Sequence, residues 1–432
     1  SLEKSETVGA DLAFLNTDSQ LWVNGLVNKG KFDFNSAKIG GVFSANNASF
    51  TNEKGEAIRA QGAEIMGGVF LRRATIDGEA AFNSAEIGGQ FSANDASFTN
   101  EGGKAINAQG AEIAGGVFLR RSDFKGEADF NRAKIGGPFS ANDATFINAG
   151  GMIINAQGAE IAGGVFLRNA AMKGEAYFDG AKIGGQFAAE NATFINPDGK
   201  ALLFQGAAIT DILWLADMPH PPIGMVDLTN GSFGSIMIDD NSFPIGRLLL
   251  DGTRYGALYR PGGTAHMTCE GWLAPTAALK NKHHRLAFDA LFENRDHIPR
   301  IRDAHDKRAA NIKILKPLFN AQTARDRAPF AYRQFSKVLD SNGHEREARD
   351  VRVEAGKAYT DRTEGSITPK LARRPYRFLR WVLRSMTGFG AKPWRVLNWL
   401  MISWIIGASV FFICEDDMTP ARERVYMSLI EN

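Results

Sequence analysis

Between residues 37 and 207, apolar and polar residues alternate with a period of two, and the pattern returns every 48 residues. The segments AKIGGVF, AEIGGQF, AKIGGPF and AKIGGQF begin at Ala37, Ala85, Ala133 and Ala181. Alternation with period two is typical of β-strands, and a fixed repeat of this length indicates a solenoid. Paired glycines interrupt nearly every segment and disfavour helices. The pattern therefore predicts a parallel β-helix.

Each 48-residue unit divides into four steps marked by a small residue. Alanines at positions 37, 48, 63, 74 and 85 give steps of 11, 15, 11 and 11 residues. Two adjacent steps have the length of one β-helix turn, so one unit predicts two coils. The predicted fold class is mainly β: a right-handed parallel β-helix built from this unit, followed by an α-helical hairpin region and one transmembrane helix.

Phenylalanine recurs in four columns along the repeats. Identical aromatic side chains stacked along a coil axis are suited to fill a dry interior, so we expect all four columns in the core. The columns are Phe34, Phe82, Phe130 and Phe178; Phe43, Phe91, Phe139 and Phe187; Phe50, Phe98, Phe146 and Phe194; and Phe70, Phe118 and Phe166.

The chain divides into segments of different character. Residues 1–30 carry weaker versions of the repeat and are assigned to N-terminal coils or a cap, and residues 31–260 to the β-helix with irregular C-terminal coils. Helical spacing over 276–362 predicts an α-helical region with a hairpin similar to one tetratricopeptide repeat, its turn at 341–343. A single hairpin cannot form a peptide groove, so we expect a packing role. Residues 415–432 form an acidic tail.

Residues 371–386 have the pattern of a basic amphipathic helix. Four arginines share one helical face, and Trp381 belongs to the apolar surface around it. Such a helix is typical of an anionic membrane interface. The alternative is a solvated basic face packed on the hairpin. The four arginines are Arg373, Arg377, Arg380 and Arg384.

Residues 394–414 have the pattern of a transmembrane helix. No charged residue occurs from Val396 to Cys414, and at about 1.5 Å per residue this run nearly crosses the hydrocarbon core of a bilayer. Lys392, Trp394 and Arg395 before it suit a headgroup layer. The alternative is a buried core helix.

Flanking charge predicts an orientation. Lysines and arginines dominate before the apolar run, whereas acidic residues follow it at 415–417. The positive-inside rule then places the solenoid on the cytoplasmic side of a bacterial inner membrane. The only two cysteines, Cys269 and Cys414, lie far apart, which fits a reducing compartment.

Polar residues also recur in columns, which are the candidate surfaces of the solenoid. Arginine and glutamate columns lie seven residues apart and are expected to neutralise each other, while asparagine and glutamine columns are expected to form amide ladders. The columns are Arg72, Arg120 and Arg168; Glu79, Glu127 and Glu175; Asn52, Asn100, Asn148 and Asn196; and Gln61, Gln109, Gln157 and Gln205.

The residues contain no pattern that predicts catalysis. Dinucleotide, phosphate-binding, nucleophile-elbow and zinc-protease motifs do not occur, and the histidines at 283, 284, 297 and 305 have no metal-ligand spacing. Net charge is only +2, and the one basic stripe belongs to the membrane flank, so no nucleic acid partner is expected. We predict no catalytic residue, cofactor or metal.

The order of motifs resembles that of bacterial membrane-bound solenoid proteins related to pentapeptide-repeat proteins. It rests on the coils, then LLLDGTRYGAL, GWLA, PFAYRQFSKVLDSNGHEREARDV, FGAKPWRVLNWLMISWIIGASVFF and VYMSL. Members of that family are often labelled membrane-associated oxidoreductases, but no flavin, nicotinamide, haem or redox-cysteine pattern occurs in this sequence. Relatives continue past the position of Tyr426 into a second span, and some resemble two-helix channel subunits.

We expect a non-enzymatic scaffold, a cytoplasmic β-helix held on the inner membrane, whose partners are anionic lipid headgroups and a protein or a second copy of itself. The alternative is a subunit of a membrane channel or effector whose solenoid acts as a sensor. An oxidoreductase, as the family label implies, is a third possibility. A further apolar stretch of about 20 residues beyond the chain would favour the channel.

Overall fold

The computed structural model describes residues 5–238, 248–250, 252–259, 329–341, 345, 348–349, 351–352 and 395–413. Within these ranges, β-strands form two long parallel sheets, and two α-helices follow them. The predicted parallel β-solenoid is confirmed. Every printed strand pairing joins parallel strands of neighbouring coils, as in Ser97 with Asp123.

The first sheet has 11 strands, one from each successive coil. Its long strands form the broad side of the solenoid. Numbered along the chain, they are β1 (Glu6–Asp11), β4 (Val27–Asp33), β7 (Ser49–Arg59), β10 (Thr75–Ala81), β13 (Ser97–Asn107), β16 (Asp123–Asp129), β19 (Thr145–Asn155), β22 (Ala171–Tyr177), β25 (Thr193–Leu203), β27 (Ile223–Asp227) and β29 (Leu248–Leu249).

The second sheet has 19 strands, most of them only two residues long, because a glycine pair separates two short strands in each regular coil. They are β2 (Asn16–Thr17), β3 (Leu21–Trp22), β5 (Lys38–Ile39), β6 (Phe43–Ser44), β8 (Glu64–Ile65), β9 (Val69–Phe70), β11 (Glu86–Ile87), β12 (Phe91–Ser92), β14 (Glu112–Ile113), β15 (Val117–Phe118), β17 (Lys134–Ile135), β18 (Phe139–Ser140), β20 (Glu160–Ile161), β21 (Val165–Phe166), β23 (Lys182–Ile183), β24 (Phe187–Ala188), β26 (Ala208–Trp214), β28 (Ser232–Met237) and β30 (Arg254–Tyr259).

Coil lengths alternate between 26 and 22 residues, which confirms two coils per 48-residue unit. Ser49 pairs with Thr75, a step of 75 − 49 = 26 residues. Thr75 in turn pairs with Ser97, a step of 97 − 75 = 22 residues. The same alternation continues through Asp123 and Thr145. Residues 5–30 contribute strands to the same two sheets.

The four additional residues of each long coil bulge out of the first sheet as a loop. Strands β7, β13, β19 and β25 contain 11 residues, whereas their neighbours β4, β10, β16 and β22 contain 7. In β13 the register jumps between Thr99 and Lys104, where five residues lie against two of β16. We call these segments the bulge loops; they are 52–56, 100–104, 148–152 and 196–200.

The asparagine column closes these loops, so the expected amide ladder is wrong. Each asparagine Nδ2 donates to the backbone carbonyl four residues later, at 2.8–2.9 Å. Column members lie two coils apart, about 9.6 Å, which is too far for a hydrogen bond between amides. The glutamines likewise bond locally, as Gln61 Nε2 does to Glu56 Oε1 at 2.7 Å. The donors are Asn52, Asn100, Asn148 and Asn196.

Three of the four predicted phenylalanine columns lie in the core. Members of the columns that begin at Phe34, Phe43 and Phe50 are at most 1% exposed. Phe124 lies between two members of the last column, 4.8 Å from the ring of Phe98 and 4.6 Å from that of Phe146. This stack of parallel rings belongs to one continuous apolar core.

The fourth column, which begins at Phe70, was wrongly placed in the core. In β9 the inward residue is Val69, and Phe70 points outward and is half-buried. The neighbouring coil reverses the sizes, since Phe91 points inward and Ser92 outward opposite Phe70. A large side chain on one face is therefore matched by a small one on the same face of the next coil. This exchange keeps the coil spacing uniform, and a sequence column alone does not reveal the face.

The anchor alanines lie at tight corners inside the core. Ala37, for example, donates its backbone N–H to the carbonyl of Phe34 at 3.2 Å. The residue before the anchor has a positive φ, as Ser36 does at 53°. At the one position without alanine, the Ser122 hydroxyl donates to the Ala93 carbonyl at 2.6 Å. A buried hydroxyl needs such a partner, so serine is tolerated there.

The first helix, α1 (Pro329–Ser341), contacts the last solenoid strand, β30. Gln334 Nε2 donates to the Tyr255 backbone carbonyl at 2.9 Å. An exposed strand edge otherwise presents unpaired backbone groups, so α1 protects this end of the stack. The second helix of the predicted hairpin is not among the described elements, and the tetratricopeptide-like hairpin is not confirmed. The remainder of 276–362 lies largely outside the described residues.

The second helix, α2 (Arg395–Ile413), has 19 residues. A search of the described residues finds no helix that is both long and apolar enough to cross a membrane. The predicted transmembrane helix at 394–414 is thus not confirmed, and it begins and ends outside the described residues. The predicted interfacial helix at 371–386 and the acidic tail at 415–432 also lie outside them.

Replacement of Gly126 by alanine is expected to destabilise the solenoid. Its φ is 134°, and a Cβ there would meet the Asn100 carbonyl at 2.5 Å at the base of a bulge loop. We expect a loss of about 2–3 kcal/mol in the free energy of unfolding, measured by urea titration.

Gly102→Ala is the matched control for Gly126→Ala. Gly102 also has a positive φ, 73°, but a Cβ there meets nothing within 4 Å. The loss should be about 1 kcal/mol, from backbone strain alone. Equal losses for the two variants would contradict the proposed close approach of neighbouring coils.

Candidate functional site

The predicted arginine column lies on the second sheet, and each arginine covers an aromatic ring. Each follows an outward phenylalanine by two residues, and its guanidinium carbon lies 5.2–5.4 Å from the ring centroid. Such cation–π contacts hold a guanidinium over the sheet face. The three pairs are Arg72 on Phe70, Arg120 on Phe118 and Arg168 on Phe166.

Two of these arginines are also fixed by a serine of the following coil. Arg72 Nε donates to Ser92 Oγ at 3.3 Å, and Arg120 Nε donates to Ser140 Oγ at 2.9 Å. Both serines are only 1% exposed although they point outward. The terminal amino groups of Arg72 and Arg120 have no printed acceptor within the described part of the chain. They are free to bind an anion from outside.

The third arginine differs because the repeat differs. At the position of the serine stands Ala188, which has no hydroxyl. Arg168 Nε instead donates to the Glu190 carboxylate at 3.1 Å, so its charge is balanced within the chain. In each of the three coils an asparagine of the preceding coil accepts the arginine backbone N–H at 2.9–3.0 Å; these are Asn46, Asn94 and Asn142.

The glutamate column does not face the arginine column, contrary to expectation. A corner at Ala74 separates Arg72 from Glu79, which therefore lies on the first sheet in β10. The seven-residue offset places the two columns on different sheets. Each glutamate has another polar partner at 2.7–3.1 Å: Glu79 with Asn107 Nδ2, Glu127 with Asn155 Nδ2 and Glu175 with the Tyr177 hydroxyl.

Glu127 belongs to a buried charge network. It is 9% exposed, and nearby Lys104 Nζ contacts the Asp129 carboxylate at 2.6 Å. Burial raises the pKa of Glu127, and the charge of Asp129 adds to that rise, which outweighs the opposing effects of Asn155 and Lys104. Burial alone lowers the pKa of Lys104, but its hydrogen bond to Asp129 raises it overall.

Two bulge loops and the strand between them enclose an acidic cleft of about 500 Å³. Glu53 and Glu101 lie on neighbouring bulge loops and are exposed, and Asp77 lies on β10 between them. Two further carboxylates, Glu56 and Glu79, also line it. Glu53, Asp77 and Glu101 have no printed ion pair within the described part of the chain. We call these five residues the acidic cleft.

A row of charged residues also runs along the second sheet. Lysine and glutamate of adjacent coils form salt bridges at 2.6–2.8 Å: Lys38 with Glu64, Lys134 with Glu112, and Lys182 with Glu160. Glu86 interrupts the row, because it lies between Glu64 and Glu112 where the other repeats have lysine. Like charges directly opposite each other on neighbouring strands are unfavourable.

The predicted membrane-interface residues cannot be placed on the structure. Arg395 is the first residue of α2, and the others lie outside the described residues. The predicted columns are therefore the part of the site for which geometry is known. The residues outside are Arg373, Arg377, Arg380, Trp381, Arg384, Lys392 and Trp394.

Comparison with protein-family models, with curated proteins and with solved structures finds no match to this chain. The resemblance to membrane-bound solenoid proteins thus rests on sequence patterns alone. Among the described residues, no group of three or more His, Cys, Asp or Glu side chains is arranged to hold a metal ion.

Sequence reasoning missed the role of the buried serines and the Lys104–Asp129 pair. A usable signal existed for the first, since Ser44, Ser92 and Ser140 recur seven residues after an anchor alanine, like the arginines that contact them. For the ion pair there was none, because its residues occur in one repeat only and lie in different coils.

Glu127→Gln is expected to change the dependence of stability on pH. The pKa of Glu127 is higher in the folded chain than its ordinary value of 4.5. The folded state therefore holds this proton more tightly, and stability falls as pH rises from about 4.5 through the folded pKa. Glutamine lacks this titration while keeping an oxygen acceptor for Asn155. Urea titrations from about pH 4 to 8 should show wild type losing stability relative to the variant; a constant difference would contradict the interpretation.

Glu86→Lys is expected to stabilise the solenoid slightly, because lysine would lie between Glu64 and Glu112. The urea midpoint should rise at low salt, and the gain should vanish at about 1 M salt, where surface charges are screened. Lys182→Glu is the reverse control, since it breaks the bridge to Glu160 and should lower the midpoint. A midpoint unchanged in both variants would mean that the charged row contributes nothing.

Proposed function

We propose that this chain is a non-enzymatic β-solenoid scaffold that attaches to a lipid bilayer with anionic headgroups and binds protein, including further copies of itself. The observation that carries the proposal is the repetition of identical outward groups on one rigid stack. Rows such as Arg72 and Arg120, held by cation–π contacts and serine bonds, present binding groups at fixed spacing. Pre-ordered side chains lose little entropy on binding.

Attachment to lipid is supported by the apolar surface of α2. Eight large apolar side chains of this helix are 46–73% exposed. A cluster of exposed apolar side chains favours burial in an apolar phase, and the arginine-rich segment before the helix would contact anionic headgroups. The exposed residues are Leu397, Leu400, Met401, Ile402, Trp404, Ile405, Ile406 and Val410.

The proposed location is the cytoplasmic face of a bacterial inner membrane. It rests on the asymmetry of charge in the sequence, with basic residues before α2 and acidic residues at 415–417.

Flotation with vesicles tests the attachment. The full chain should float with vesicles that contain about one third phosphatidylglycerol and less well with pure phosphatidylcholine, because cationic segments gain about 1 kcal/mol per charge near an anionic surface. The double variant Trp404→Glu and Ile405→Glu should bind at least about tenfold more weakly, since each buried apolar side chain contributes about 1.5–3 kcal/mol.

The matched control is the double variant Val8→Glu and Met66→Glu. These side chains are 91% and 71% exposed on the solenoid, and the change in net charge is the same. The control should float like wild type. If the full chain fails to float with either vesicle, or if the α2 variant floats as well as the control, lipid attachment through α2 is wrong.

A further inference from the structure

Two of the exposed rows on the solenoid are complementary in charge and equal in spacing. Arg72 and Arg120 lie 120 − 72 = 48 residues apart, and Glu53 and Glu101 also lie 101 − 53 = 48 residues apart. Two coils separate the members of each row, about 9.6 Å along the axis. Both rows belong to the same coils of the stack, one on the second sheet and one on the first.

The basic row, which we call the Arg ridge, consists of Arg72 and Arg120. The ring below each guanidinium and the serine at Nε leave the two terminal amino groups facing outward. A guanidinium held in this way is prepared for a carboxylate, which it binds through paired hydrogen bonds. Arg73 and Arg121 add exposed positive charge beside it, the latter paired with Asp95 at 2.6 Å.

The carboxylates that match the Arg ridge occur in the acidic cleft. Glu53 and Glu101 stand on bulge loops that are held by Asn52 and Asn100, so their spacing is fixed by the fold. Arg72 and Glu53 lie on different sheets of one chain, so the ridge of one chain and the cleft of another can meet.

The third repeat supports the same pairing, because it lacks both partners at once. Ala149 occupies the position of Glu53 and Glu101, so its bulge loop carries no carboxylate there. In that same repeat Arg168 is already paired with Glu190. The arginine is thus neutralised within the chain in the repeat whose loop has no acid, and it is left without an internal partner in the two repeats whose loops carry one.

We infer that copies of this chain associate side by side, with the Arg ridge of one copy bound to Glu53 and Glu101 of the next. This inference rests on the proposed scaffold function and specifies its partner as a second copy. Because the two surfaces differ, the contact is heterologous and each copy keeps one free ridge and one free cleft. Such contacts repeat into rings or open arrays.

Sedimentation velocity of the full chain in detergent micelles tests the inference. Wild type should associate as concentration rises, and the association should weaken as salt rises from about 50 to 500 mM, since the contact is ionic. The ridge variant R72E/R120E and the cleft variant E53K/E101K should each associate at least about tenfold more weakly. Strand circular dichroism should be unchanged in both.

A mixture of the two variants provides the decisive measurement. The reversed ridge of one variant matches the reversed cleft of the other, and their unchanged surfaces also match, so the mixture should regain association. The control K125E/K173E has the same charge change and the same 48-residue spacing at exposed positions of the first sheet, and it should associate like wild type.

Three results would overturn the inference. If both variants associate as strongly as wild type, the ridge and cleft are not the contact, although the scaffold proposal survives through another surface. If the control is weakened as much as the ridge variant, or if the mixture stays dissociated, specific pairing of the two rows is excluded. If wild type remains monomeric at about 100 μM and low salt, self-assembly itself is wrong, whereas vesicle flotation separately decides lipid attachment.

Discussion

The stacking of coils at a uniform spacing is the constraint on which the rest of this structure depends. Parallel strands of neighbouring coils must remain about 4.8 Å apart to keep their backbone hydrogen bonds. Side chains at one position in every coil therefore share a narrow column. Phe91 inward and Ser92 outward, between coils with Val69 inward and Phe70 outward, satisfy this constraint on both faces of the sheet. The 48-residue unit is the sequence form of this two-coil exchange.

The same constraint explains how far the fold could be predicted from the sequence. The alternation of coil lengths and the burial of anchors such as Ala37 followed from spacing alone, because any other spacing would break the stack. The face of Phe70 did not follow, since a two-residue strand offers no longer alternation to fix its phase. The partners of Asn100 and Glu79 did not follow either, because bulge loops and corners change which residues meet.

Departures from the repeat are more informative about the surface than the repeat itself. A repeated residue satisfies the packing of its column, whereas a substitution in one copy changes only that copy. Glu86 removes a lysine from an otherwise alternating row, and Ala188 removes the serine that would hold Arg168. Glu190 then takes the free arginine. Surface chemistry therefore varies along a uniform rod, and different heights of the solenoid can serve different contacts.

The distance between two points on the stack is the most direct measurement of uniform spacing. Val27 and Ala171 lie on the first sheet, six coils apart through successive register pairs. Cysteines placed there, with Cys269 and Cys414 replaced by serine, would carry spin labels for pulsed electron paramagnetic resonance. Coils stacked at about 4.8 Å predict a narrow distribution centred near 29 Å. A broad distribution, or a centre displaced by more than about two coils, would contradict the uniform two-coil repeat.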